Sequence, residues 1–380
     1  MALATMRPTV DILRAGERDG AGAILRIVTP AGATIHAVGV PQDWQSGTGP
    51  TWIYVIDEGD GLTLIDAGSV LAVDCLNDAF KVLGMEMKSV RRIVVTHSHL
   101  DHDGGATSLA EASGGEVWAH ALFGHLRHHR FQDQMGPIHP LLREALNHHF
   151  DPERRSSGPR QRNWSDRHVK YDTLRKNVPI ARSLHDGDQA GSLTFYHTPG
   201  HSPDELTIAL DGVLFTGDHV LPEITPHPTM KARPTAVVKD GLPERYQDED
   251  QLYGLAAYMR SLRRVAAYGN KTTVLPAHRL LNKGKLNVMT ARRAHSIMLH
   301  HIQRFHRILG IIGKEAMSLE AVTKLLFSYR DMDSSNYHSA LSETLAHVEL
   351  LIDTGDLTEV PGGRLLWKGS ENYREAVKSP

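Results

Sequence analysis

The sequence predicts a layered α/β fold with a small helical unit behind it. Three observations carry this expectation. Short β-branched runs alternate with stretches of helical spacing, several runs end in turns bearing histidine or aspartate, and the character changes beyond His278, where helices take over. The chain has 380 residues, 41% hydrophobic and 23% charged, enough to bury a full core and too long for one comfortable domain. The expected units are residues 1–285 and 286–380, the first interrupted by a helical insertion at about 122–183.

From Ala23 to Ile65 the runs AILRIV, ATIHAVGV, TWIYVI and LTLI are separated by Gly, Pro and Asp, so they read as strands with antiparallel neighbours. LTLIDAG reaches Asp66 where a strand opens into a loop. Residues 70–84 have helical spacing, and VRRIVVT at 90–96 is a short strand leading into VTHSHLDHDGGAT. ATSLAEASG reads as a short helix stopped by Gly114 and Gly115, and EVWAHA as the next strand.

Residues 122–183 break this rhythm. FGHLRHHRFQDQMGPIHPLLREALNHHF carries His125, His128, His129, His139, His148 and His149, and an arginine-rich segment, DPERRSSGPRQRNWSDRH, follows. Connections of this length often serve as lids or binding elements. The histidine spacing is irregular and no acidic partner repeats with it, which favours surface or lid histidines over a second metal centre. Phe123, Leu126, Phe131, Met135 and Ile138 would supply the apolar side of such a lid.

Strand-like order returns with SLTFYHTPGH, LTIALD and VLFTGD, each running to a candidate ligand: His201, Asp211 and Asp218. The proline-rich segment 219–245 reads as a surface loop, LYGLAAYMRSLRRVAAYG as a helix, and TTVLPAH as a last strand reaching His278. Beyond it, ARRAHSIMLHHIQRFHRILGIIG, SLEAVTKLLF and NYHSALSETLAHVELLIDTG read as three helices, with Ser318 capping the second. LTEV and RLLW around PGG read as a hairpin, which makes the tail winged-helix-like.

Several function classes are disfavoured. A formal net charge of −2 gives no global basic field for nucleic acid or an anionic membrane. The one cysteine, Cys75, lies in an apolar helical run and rules out an intrachain disulfide framework. No window approaches 18 uninterrupted apolar residues, and MALATMRPTV lacks the pattern of a signal peptide, so the cytoplasm is the expected location.

The chemistry concentrates in VTHSHLDHDGGAT, which places His97, His99, Asp101, His102 and Asp103 within seven positions. Such a crowd is costly without compensating positive charge. His97 and His99, two apart at a strand exit, point the same way if strand geometry continues, and the following turn can bring Asp101 and His102 to the same cavity. Imidazole and carboxylate together suit zinc, with manganese or iron also accommodated.

With THSHLDH at 96–102, TPGHSPDE at 198–205, FTGD ending in Asp218 and LPAH ending in His278, the chain resembles the metallo-β-lactamase fold superfamily over about residues 20–280. The resemblance implies a four-layer αββα sandwich with two metal ions at one edge. It implies that His97, His99 and His201 hold one ion, that Asp101, His102 and His278 hold the other, and that Asp218 bridges them. The helices and hairpin of the tail resemble the subgroup typified by the lactamase-like protein 2 proteins, with a winged-helix-like C-terminal domain.

Two ions held close together acidify a water and polarise the oxygen that gains charge. Asp101 could also receive or relay a proton, and Asp66 is a candidate acceptor for a ligand imidazole or else a simple turn carboxylate. Asp103, Gly104 and Gly105 are expected to shape the turn. His219 would face the substrate or fill the wall. The first expectation for a substrate is a thioester or other activated carboxyl ester, including an acyl-CoA with Lys231 or Arg233 as phosphate contacts. Lactone or β-lactam-type ring hydrolysis comes second and nucleic-acid phosphodiester cleavage third. Arg292, Arg293, Arg304 and Arg307 and the basic stretch at 154–167 favour that third choice, and a non-enzymatic nucleic-acid-binding tail remains a fourth reading. A homodimer through the inserted helices is left open.

Overall fold

In the computed structural model, which describes residues 7–43, 47–149, 171–327 and 334–378, the β-branched runs pair into two large sheets. The first contains β1 (Thr9–Arg14), β2 (Ile24–Val28), β3 (Thr34–Val40), β4 (Thr51–Asp57), β5 (Leu62–Ile65), β6 (Val90–Val94), β7 (Glu116–His120) and β8 (Ile180–Leu184), in that order across the sheet. The expected antiparallel meander holds from β2 to β5, whereas β5 to β8 are parallel because helices connect β5 to β6 and β6 to β7. Two strands escape the sequence reading. β1 is largely exposed and shows no apolar alternation, and β8 lies inside the span assigned to the insertion, which therefore stops short of Ile180.

The second sheet is built from β9 (Gln189–Ala190), β10 (Leu193–His197), β11 (Leu206–Leu210), β12 (Val213–Phe215) and β13 (Thr273–Leu275). A two-stranded ribbon, β14 (Leu281–Asn282) and β15 (Lys285–Leu286), follows, and β16 (Met289–Thr290) then pairs with β13 at the sheet edge.

Alternation along the strands sorts side chains into layers. On β4, Trp52, Tyr54 and Ile56 face the second sheet, while Ile53 and Val55 face the helices Ala72–Leu83 and Ala106–Ser113. On β12, Val213 and Phe215 face the first sheet and Leu214 faces outward to the helix Gly254–Ala266. Helix, sheet, sheet, helix is the αββα sandwich. Leu252 stands in a separate short turn, because Gly254, with φ of 84°, and extended Tyr253 interrupt the expected continuous helix.

The C-terminal helices Arg292–Ile312, Leu319–Leu326 and Ser334–Asp353 precede a three-stranded sheet ordered β17 (Met317–Ser318), β19 (Arg364–Trp367), β18 (Leu357–Val360). Ser318 Oγ accepts from the amide of Ala321 at 3.2 Å, the expected cap. These helices share one apolar core with Gly254–Ala266 and with Leu141, Leu142 and Ala145 of the inserted helix Pro140–His149. That face of the insertion is thus covered within the chain. Phe123 and Leu126 are also buried, on the outer face of the first sheet and against Ala232, Val238 and Tyr246; Ile138 is exposed. Phe123 and Leu126 of the lid pictured from sequence are therefore structural wall, and the side chain of Phe131 lies outside the described residues. Segment 219–245 is likewise less superficial than expected, with Val220, Leu221, Ala232, Val238 and Leu242 buried. Among the described residues, no helix is long and apolar enough to cross a membrane.

Candidate metal centre

Strand direction brings the candidate residues together. β6 delivers His97 and His99, and the single helical turn Leu100–Asp103 carries Asp101 and His102. β10, β12 and β13 run the same way, so the turns after them place His201, Asp218 and His278 at one end of the second sheet. β11 runs opposite, which puts Asp211 in an exposed hairpin turn at the other end, away from this cluster. Among the described residues, three groups have ligand atoms within 4.8 Å of one another: His97, His99 and His201; His97, His102 and Asp218; Asp101, His102 and His278. The described histidines of the insertion join none of them; the side chains of His148 and His149 and the basic stretch 154–167 lie outside the described set.

The first group is tight. His99 Nδ1 is 2.9 Å from His97 Nε2 and 3.2 Å from His201 Nε2. In the third, His278 Nε2 lies 3.2 Å from Asp101 Oδ2, and His102 Nε2 lies 3.8 Å from the same oxygen. Asp218 faces both: Oδ1 is 3.3 Å from His278 Nε2 and 3.6 Å from His102 Nε2, while Oδ2 is 3.7 Å from His201 Nε2.

The outer ring nitrogens decide which atoms point inward. His102 Nδ1 donates to Asp66 Oδ2 at 3.0 Å, His201 Nδ1 to the His227 carbonyl at 2.9 Å, and His278 Nδ1 to the Pro50 carbonyl at 2.9 Å. Thr96 Oγ1 gives its hydrogen to Asp66 Oδ1 at 2.7 Å and so accepts from His97 Nδ1 at 3.1 Å. With Nδ1 occupied on four rings, Nε2 of each is the atom left for a cation. His102 Nε2, His278 Nε2 and Asp218 Oδ1 are buried without a hydrogen-bond partner among the described residues, a costly arrangement that a divalent cation would relieve. The donor set therefore fits the metal ions expected from sequence.

Electrostatics separate the two groups. Burial, with neighbouring histidines adding, holds His97 well below the ordinary histidine range, and burial takes His99 and His201 down to about 4. Burial also opposes charge on His102 and His278, but the facing aspartates outweigh it and raise both. Asp101 is brought down to about 2 against burial by His102 and His278. A divalent ion would answer the same carboxylates and compete with the protons on these rings.

The sequence reading missed supporting groups. Glu205, the last residue of TPGHSPDE, is fully buried with Oε1 3.4 Å from His97 Nδ1 and 3.2 Å from the Asp218 amide that donates to it. A carboxylate directly before an apolar strand was its only signal. Gln42 Nε2 donates to Asp101 Oδ2 at 2.7 Å, from a loop with no motif. Asp103 stays out of the ligand groups; burial pushes it up to about 8, and Tyr171 Oη lies 3.0 Å from its Oδ2. His219 is fully buried, edge-on to the Tyr258 ring at 4.9 Å. Lys231 Nζ is shared by Asp250 at 3.0 Å and Asp353 at 2.7 Å, fastening its loop to the C-terminal helix, and Arg233 is exposed.

The profile described as the Metallo-beta-lactamase superfamily matches residues 46–278. The chain belongs to that superfamily. A solved beta-lactamase domain protein from Burkholderia ambifaria is 24% identical, covers 97% of this chain and 99% of its own, and superposes with a TM-score of 0.64. A metallo-beta-lactamase family protein from Thermus thermophilus is 20% identical, covers 88% of this chain and 98% of its own, with a TM-score of 0.57. At these identities the likeness concerns the fold. Fold and histidine–aspartate cluster together make the chain a metal-dependent hydrolase of the metallo-beta-lactamase superfamily.

Proposed function

We propose that the chain is a binuclear hydrolase of activated carboxyl esters, thioesters first among them. The observation that carries the reading is the convergence of Nε2 of His97, His102, His201 and His278 with His99 Nδ1 and two aspartates. His97, His99 and His201 would hold one ion, Asp101, His102 and His278 the other, and Asp218 both, since its two oxygens face different groups. Zinc suits these donors best, with manganese or iron as alternatives.

When bound, such ions supply Lewis acidity toward water and toward the carbonyl oxygen of a substrate. The chain's own part is orientation and proton transfer. Asp66 and Glu205 hold the ligand rings from behind, and Asp101, ionised at neutral pH, is placed to accept the proton of an attacking water and return it to the leaving group. Arg233 is the candidate contact for a phosphate-bearing tail such as that of an acyl-CoA, since Lys231 is spent on two aspartates. His219 supports the wall beside His201. A small ester or thioester is the proposed partner, and lactone or β-lactam-type ring opening uses the same arrangement.

A phosphodiesterase or nucleic-acid-binding reading has less support. The order helix, strand, helix, helix, strand, strand supports a winged-helix-like tail of the lactamase-like protein 2 kind. Yet its third helix is mostly buried, leaving little face to enter a groove. Arg304 pairs with Glu343, Arg307 donates to the Leu326 carbonyl, and Arg293 donates to the carbonyls of Leu221 and Ile224.

Protein purified without added metal is expected to carry close to two equivalents of divalent ion, and Asp218→Ala to lose turnover. A screen of acyl thioesters, lactones and bis-p-nitrophenyl phosphate, with zinc, manganese and iron supplied separately, reads substrate class and metal together. Cleavage of the phosphodiester alone, or full thioesterase activity in Asp218→Ala, would overturn the reading.

A further inference from the structure

The end of the insertion touches the metal centre through the side chains of Tyr171 and Arg175, not through its described histidines. Residues 171–176 form a short helical segment just before β8. Tyr171 Oη donates to the carbonyl of Ser98 at 3.0 Å. Arg175 Nη2 donates to Ser98 Oγ at 3.2 Å. Ser98 is the residue between His97 and His99, so both contacts bear on the spacing of two adjacent ligands.

The contacts continue across to the third ligand of the same group. Ser98 Oγ donates to Asp204 Oδ1 at 3.1 Å, and Ser202 Oγ, next to His201, donates to the same oxygen. Arg175 is 6% exposed and Asp204 1%, so this is an interior polar network. The guanidinium lies over the Phe123 ring, 5.7 Å from its centroid, which fixes it from the side facing the first sheet. In such surroundings an arginine that loses its polar partners, or partners that lose the arginine, are left with uncompensated charge.

The other group is held differently. Among the described residues, Asp101, His102 and His278 are supported by Gln42, Asp66 and the Pro50 carbonyl; of the insertion, Tyr171 Oη also reaches the turn that carries Asp101 and His102, lying 3.0 Å from Asp103 Oδ2, whereas Arg175 makes no hydrogen bond there. Through Arg175 the insertion is thus coupled to one ion site and not to the other.

We propose that Arg175 is a positioning residue for the His97–His99–His201 group, through which the insertion sets the affinity of that ion site alone. This rests on the two-ion reading above. Outer partners that orient ligands typically contribute about 10- to 100-fold in metal affinity, and the loss should appear here without a matching loss at Asp101–His102–His278.

The test is a Zn²⁺ titration of the metal-free full chain against a chromophoric chelator. His278→Ala isolates the three-histidine group, and His201→Ala isolates the other. In the His278→Ala background, Arg175→Met and Ser98→Ala are expected to weaken binding by about 10-fold or more, with partial recovery in Arg175→Lys. In the His201→Ala background both should leave affinity unchanged. Gln134→Ala, which removes bonds to the carbonyls of Leu126 and His129 inside the insertion, serves as the structural control and should change neither site. If Arg175→Met fails to fold, Ser98→Ala decides the matter, since it deletes only a hydroxyl. Equal affinities in variant and parent, or equal losses at both groups, overturn this inference. Wild-type protein that binds no Zn²⁺ overturns the proposed function instead.

Discussion

Asp66 shows how much one side chain can be asked to do. Its backbone is left-handed, φ 68°, a conformation that asparagine and aspartate tolerate better than other non-glycine residues. Its Oδ1 accepts from the amide and hydroxyl of Thr96, and its Oδ2 accepts from His102, so one carboxylate braces two ligand segments. Asp66→Asn preserves the turn but replaces a charged acceptor by an amide. We expect a folded protein with an unchanged circular dichroism spectrum whose metal affinity falls by about 10- to 100-fold, read by chelator competition. Affinity equal to wild type would remove Asp66 from the ligand-orienting set. The sequence placed Asp66 at a strand exit but left its role open, because the deciding partner is 36 residues away.

At the scale of elements, the C-terminal helices meet through histidines that no motif announces. His301 Nδ1 donates to His347 Nε2 at 3.1 Å, and His347 Nδ1 donates to the Glu343 carbonyl at 2.7 Å. Both rings are fully buried, and burial, with nearby histidine and arginine charge, holds both well below the ordinary value of 6.5. In the unfolded chain they titrate near that value, so below it the unfolded state binds more protons than the folded one. Their contribution is therefore complete above pH 6.5 and is lost toward acid, by up to about 1.4 kcal/mol per pH unit for each ring. Thermal midpoints of the metal-free protein should fall between pH 6.5 and 5, and His301→Gln with His347→Gln should flatten that slope. Parallel slopes in the two proteins would show that these rings do not govern the acid limb.

For the molecule as a whole, the decisive fact is that one core runs through both presumed units. Leu255, Met259 and Leu262 of Gly254–Ala266, Leu141 and Leu142 of the insertion, and Phe305, Leu341 and Leu345 of the tail all belong to it. We expect the full chain to melt in a single cooperative transition by calorimetry and circular dichroism. A chain ending at residue 285 would expose that core and should be recovered aggregated, as judged by size-exclusion chromatography. A monomeric, metal-loaded 1–285 fragment would show that the catalytic layer folds without the tail.

Candidate ligand positions and most of the strands were legible in the sequence because each candidate follows a local pattern, an apolar run and then a turn carrying His or Asp, and the family resemblance selected the set of seven. Periodicity of two and the stop of a strand are local properties, and local chemistry writes them directly. The choice between Asp211 and Asp218 was not local, since it depends on which way each strand runs in the finished sheet. Nor were the carbonyls of Pro50 and His227, the amide of Gln42 or the guanidinium of Arg175, which reach the centre across 228, 26, 59 and 77 residues of chain. A backbone carbonyl carries no residue signature, and a side chain gains a second role only from what packs beside it. Which residues are candidates to meet the ions was thus set by sequence, and how each is aimed was decided by the tertiary structure, because aim depends on partners that only folding brings within hydrogen-bond distance.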